Sequence, residues 1–144
     1  DQGALIKSYL RAKRKNLDFL QLYLDATNPS SNIGWKQTER FGLLERCDFD
    51  AMIALAFEHH LAIAKNIPLK DLIEWFISIA PKGLIEFVPK EDETVKIMLK
   101  FRKDIFPDYT EENFQNLLLK KAKIIQIHEI KNSFRKIYEY EKIS

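Results

Sequence analysis

Between Asp48 and Asn66 the chain reads DFDAMIALAFEHHLAIAKN, with apolar residues almost unbroken through Phe49 and from Ala51 to Phe57. A run of that length without polar alternation predicts a strand buried on both faces, as in the middle of a parallel sheet flanked by helices. It stops at Glu58, His59 and His60, after which Leu61, Ile63 and Ala64 follow a short helical pattern. Polar groups therefore gather at the carboxyl end of the strand, the edge at which open α/β sheets bind ligands.

The same periods divide the rest of the chain. From about residue 3 to 15, Leu5, Ile6, Tyr9 and Leu10 share one face and Lys7, Arg11, Lys13, Arg14 and Lys15 point elsewhere, which predicts an amphipathic helix. Phe19 to Leu24, closed by Asp25, has the length of a second buried strand. Residues 28–35 hold Pro29, Gly34 and two asparagines, a turn-rich composition in which Trp35 is expected to pin the loop. A short helix is expected from Thr38 through Glu45, and one of about twelve residues after Pro68, on Leu69, Leu72, Ile73, Phe76, Ile77 and Ala80. Leu84 to Val88 predicts a strand, residues 92–103 and 110–122 two helices, and residues 124–130 and 134–140 an antiparallel hairpin. Alternating elements of this kind imply an α/β fold, a parallel sheet with covered faces ending in an antiparallel strand pair.

Composition changes this picture little. A chain of 144 residues with 46% hydrophobic content suits a single domain over 1–144. With 23 Lys and Arg against 21 Asp and Glu, the net charge of +2 creates no strong field for nucleic acid or acidic lipid. The basic run Arg11 to Lys15 could touch phosphates, but cations at a helix C-terminus also complement the macrodipole, and a solvated face is the preferred reading. The lone Cys47 is read as a packed thiol in a reducing compartment. No apolar run is long enough to span a membrane, so the expected location is cytoplasmic. The chain opens Asp1-Gln2-Gly3 without an initiator methionine, which leaves room for a removed leader or a larger upstream segment.

The segments LDATNPSSNIGWKQTER, DAMIALAFEHHLAIAKNIPL and LIEFVPKEDE together resemble a nodulation-protein-related branch of the class I S-adenosylmethionine-dependent methyltransferases. The resemblance covers nearly the whole chain and implies a Rossmann-like sheet of seven strands, order 3-2-1-4-5-7-6, whose last strand runs antiparallel. It also implies S-adenosylmethionine as cofactor and an unidentified methyl acceptor as partner. The glycine-rich turn that holds the methionine part of the cofactor is missing, since Gly3, Gly34, Gly42 and Gly83 stand alone. Asp1 falls just past the position of the acid that holds the ribose. The chain thus looks like the latter portion of such a domain, from the end of strand two onward.

Carried over residue by residue, the resemblance places Asp25, with Ala26 beside it, where relatives bind the adenine amino group. A carboxylate suits that contact as an acceptor, and a turn-capping aspartate is the equal alternative. It places Glu58, His59 and His60 where relatives face the transferred methyl group, although relatives tend to be apolar at the position of Glu58. Acid/base work by a histidine, or a hydrogen bond to loop backbone, fits better than a metal. Adjacent histidines diverge by about 100° on a helix and lie on opposite faces of a strand, and only His128 remains as a third. Three functions follow: methyl transfer by the parent protein, the chain alone being incompetent; a non-enzymatic half-domain binding a partner, or a second copy, through an open sheet edge; and, least favoured, nucleic-acid binding through Arg11 to Lys15 and Lys120, Lys121 and Lys123.

Overall fold

The computed structural model describes residues 2–143. They form two compact units, one running to Ser30 and the other from Ser31. In the first, helix α1 (Gln2–Lys15) carries Lys13, Arg14 and Lys15 in its last turn. Asn16 ends it in the left-handed region at φ 49°. The Asn16 N–H donates to the Lys13 carbonyl at 3.3 Å and that of Leu17 to Ala12 at 2.9 Å, the paired bonds of a Schellman cap.

Residues 19–24 are not the strand that their composition predicts. They have no regular structure, and Leu20 is 78% exposed. β-propensity describes a fit to a pleated, half-buried surface, and this segment has no ladder partner among the described residues of its own unit.

The second unit contains a sheet of four strands, β1 (Met52–Ala54), β2 (Lys82–Phe87), β3 (Ala122–Glu129) and β4 (Lys136–Lys142), in the order β1-β2-β4-β3. β1 and β2 are parallel, in the register Met52 to Gly83 and Ala54 to Ile85. β4 lies antiparallel between β2 and β3. The hairpin is where the sequence predicts it, displaced by about two residues at each end. The sheet is mixed, parallel at β1 and β2 and antiparallel where β4 returns through the short turn after β3.

The helices are α2 (Leu43–Arg46), α3 (Leu69–Ile79), α4 (Glu93–Leu99) and α5 (Glu111–Leu119). Asp92 caps α4 by accepting the Thr94 N–H at 2.9 Å, and Thr110 caps α5 by accepting that of Asn113 at 3.2 Å. α3 buries Leu72, Ile73, Phe76 and Ile77. α5 adds Phe114 and Leu118, packed with Ile85, Phe87, Tyr138 and Tyr140 of the sheet. Phe114 stands 5.0 Å from Phe87 and 4.9 Å from Tyr138 between ring centroids, within the usual range of aromatic pairs.

Four further expectations are corrected. The run Ala51 to Phe57 is a three-residue strand at the sheet margin rather than a central one, with Ile53 69% exposed. It breaks where Ala56 turns into the left-handed region at φ 49°. The helix expected over 38–45 shrinks to α2, because an antiparallel bridge between Ile33 and Arg40 holds the preceding loop. Trp35 pins nothing, being 77% exposed. α4 ends at Leu99 rather than 103, with Lys100 and Arg102 amides in tight turns on Ile97 and Leu99. None of the described helices is long and apolar enough to cross a membrane.

Candidate functional site

The carboxyl ends of β1 and β2 hold a buried polar cluster. After β1 the left-handed turn at Ala56 is fixed from the neighbouring strand, since Glu86 Oε2 accepts the Ala56 N–H at 2.6 Å. The chain then enters a helical turn at Glu58 that widens into a π-helical turn over His60–Ala64. Glu58 and His59 are buried and His60 is exposed. π-Turns of this kind frequently occur at functional positions.

Glu58 is fully enclosed. Its Oε1 accepts the Val88 N–H at 3.0 Å and lies 2.6 Å from the Tyr109 hydroxyl. Tyr109 also stands 2.7 Å from the Val88 carbonyl oxygen, so its one proton faces two acceptors. The Tyr109 hydroxyl donates to Glu58 Oε1 or to the Val88 carbonyl, one at a time, while the Val88 N–H donates to the same Glu58 oxygen. Burial above all pushes the Glu58 carboxyl up to about 8, against the two hydrogen bonds, which pull it down. Burial and the neighbouring Glu58 likewise raise Tyr109 far above the usual phenol range. Glu58 Oε2 has no hydrogen-bond partner among the described residues.

His59 is its counterpart. Burial, then His60 and Arg135, lower it to about 4, so it is neutral at physiological pH. Its Nδ1 is also without a partner among the described residues. The His59 and His60 rings stand 4.3 Å apart between centroids. A base of pKa near 4 accepts protons poorly at neutral pH, so His59 suits hydrogen bonding and His60, the exposed member, suits contact with a ligand.

A second layer fixes this edge. Arg135 donates to Asp92 at 2.7 and 3.0 Å and reaches Glu86 at 3.4 Å, which ties β4 to β2 and to the start of α4. The Arg135 hydrogen bonds hold Asp92 down at about 2. Glu86, Asp92, Tyr109 and Arg135 escaped the sequence reading. Glu86 left a signal, as a charge inside the apolar run Leu84 to Val88. Asp92 left another, as an N-cap residue ahead of Glu93 and Thr94.

Asp25 and Ala26 belong to the first unit. Asp25 Oδ1 accepts the Thr27 N–H at 2.9 Å and the Thr27 hydroxyl at 2.7 Å, the turn-capping arrangement. Asp1 is outside the described residues. Cys47 is half-buried, its thiol pushed up by burial. Among the described residues no group of three or more His, Cys, Asp or Glu side chains is placed to hold a metal ion.

No protein-family profile and no solved structure matches the chain. It is 51% identical over 142 residues, 99% of its length, to nodulation protein NoeA of Rhizobium meliloti (strain 1021). The chain spans about 30% of the length of that curated relative.

Proposed function

We propose that the chain is the acceptor-side half of a class I, Rossmann-like methyltransferase domain, and that the protein carrying it moves a methyl group from S-adenosylmethionine to an acceptor. The observation that supports this reading is the strand order. β1-β2-β4-β3, with the first pair parallel and the final strand inserted antiparallel between its neighbours, matches the 4-5-7-6 half that the resemblance implies. The buried polar cluster lies at the carboxyl ends of the parallel pair, where such sheets bind ligands.

The chain's own residues do not fit the cofactor. No glycine-rich turn is present, and neither glycine with a tight neighbour forms a cradle: Gly83 abuts the Met52 carbonyl and Gly34 the Glu39 side chain. No chemical step is therefore assigned to the cofactor in this chain. What the chain supplies is one wall of a site. His60 faces solvent at that edge, while Glu58, Tyr109, Glu86 and Arg135 fix the backbone that presents it.

The test uses a chimera in which this chain replaces the matching stretch of the longer relative. Transfer of labelled methyl groups into a cell extract should fall when His60 is changed to Ala, with cofactor affinity within a few fold. Transfer that is absent from the intact chimera, or indifferent to His60 and His59 alike, contradicts the reading. A second reading, a half-domain that binds a partner, is favoured by the margin at β1, where Ile53 is exposed and β2 is the sole strand neighbour among the described residues.

A further inference from the structure

Next to the buried cluster is a cleft of about 530 Å³, within the size range of small-molecule sites. One wall is residues 66–70, leading into α3, and the other is residues 105–109, leading into α5. Leu117 lines it as well, and Tyr109 joins it to the cluster through the hydroxyl that meets Glu58.

The walls are braced against each other. Arg102 donates to the Ile63 carbonyl at 2.8 Å and to Asn66 Oδ1 at 2.6 Å, on the side of the first wall. Its guanidinium also lies 5.0 Å from the centroid of Phe106, on the second. Lys90 anchors that second wall by donating to the Phe106 carbonyl and to Asp104, each at 2.7 Å. A cleft held open in this way has its binding geometry set before a ligand arrives, which lowers the ordering cost of binding.

Its lining is apolar apart from a few groups. Ile67, Pro68, Phe106 and Pro107 present flat or branched surface. Lys70 is the cation among the lining residues and Asp108 the carboxylate, one on each wall. Both are exposed, and neither forms an ion pair among the described residues. The Asp108 backbone carbonyl accepts the Thr110 N–H and the Asn113 side-chain amide.

We infer that this cleft binds a small aromatic acid, its ring against Phe106 and the prolines, its carboxylate paired with Lys70 and a hydrogen-bond donor at its far side met by Asp108. A planar ring matches the aromatic and proline walls at low conformational cost, and an ammonium recognises a carboxylate as a point charge. The inference stands on the cleft itself and does not need methyl transfer.

The test is a titration of the isotope-labelled chain with 4-hydroxybenzoate, followed by amide resonances, with 4-hydroxybenzamide as the uncharged control. The acid should shift resonances of residues 66–70 and 105–109 at millimolar concentration, the range open to so small a ligand. Lys70→Gln should weaken the acid about threefold to tenfold and leave the amide unchanged. Phe106→Leu should weaken both. Lys70 is exposed, so its replacement leaves the fold intact. Shifts confined to other surfaces, no shifts at all, or equal binding of acid and amide that is indifferent to Lys70 would overturn the inference.

Discussion

Tyr109 and Glu58, 51 residues apart in sequence, meet in a hydrogen bond of 2.6 Å inside the protein. Burial makes Glu58 a carboxyl that keeps its proton in the folded state against the pull of that bond, and stability should record the fact. The folded carboxyl titrates at about 8 against an ordinary 4.5, so between those values the folded chain binds a proton that the unfolded chain does not. This contribution is fully present below 4.5 and is lost as pH rises through 8. His59 works the other way. Lowered to about 4 from 6.5, it costs stability as pH falls from 6.5 towards 4. The two slopes cancel from about 4.5 to 6.5, and above 6.5 only the loss from Glu58 remains, at most about 1.4 kcal/mol per pH unit. Urea midpoints measured from pH 4.5 to 8 should therefore be level and then fall. Glu58→Gln should remove the fall, and a stability that rises above pH 6.5 would refute the assignment.

Gly83 should resist substitution. A Cβ there would run into the Met52 carbonyl oxygen across the β1 and β2 pairing. Backbone cannot swing aside as a side chain can, so Gly83→Ala should cost about 1 to 3 kcal/mol, the usual range for overpacking. Denaturant unfolding measures it. A neutral result would mean that β1 is not held in this register.

Arg135 joins two carboxylates, Asp92 and Glu86, near the carboxyl end of β2. Replacing it by Met removes the partner of Asp92 and Glu86 while keeping the aliphatic stem. The pair is partly solvated, with side-chain exposures of 25% and 12%, so the loss should be about 2 kcal/mol, between that of surface and buried ion pairs. The titration of Asp92 should move up from about 2 towards the ordinary carboxylate range. Carbon-detected resonances of Asp92 followed with pH give the readout, and an unmoved Asp92 would discount the contact.

Among the described residues β1 is an edge strand, paired on one side with β2 alone, beside the exposed Ile53. Such margins pair with other chains. Light scattering after size exclusion should show association that grows with concentration. Ile53→Lys should suppress it, since a charge at the edge opposes pairing. A chain that stays monomeric at every concentration would contradict an adhesive edge.

How much was legible in the sequence depended on where an element finds its partners. α3 and α5 carry their apolar faces in their own spacing, and the Asn132 and Ser133 turn fixes the hairpin locally, so these were readable. β1 and residues 19–24 were over-read, because apolar composition announces a strand without saying whether a neighbour exists to pair with it. The site was half visible. Glu58, His59 and His60 stand together in sequence, whereas Tyr109 and Arg135 reach them only through the returns of α4, α5 and β4, contacts that local spacing does not encode. The turn-capping alternative for Asp25 was visible beside the adenine contact because its bonds to Thr27 are local.

The proposed reading is that this chain supplies the acceptor side of a methyltransferase domain and that its own residues do not grip the cofactor. Calorimetric titration of S-adenosylmethionine into the chain, and into the chimera built on the longer relative once its cooperative unfolding is established, tests it most directly. The account predicts no binding by the chain alone and micromolar binding by the chimera. Micromolar binding by a monomer of the chain itself, or none by the folded chimera, would contradict it.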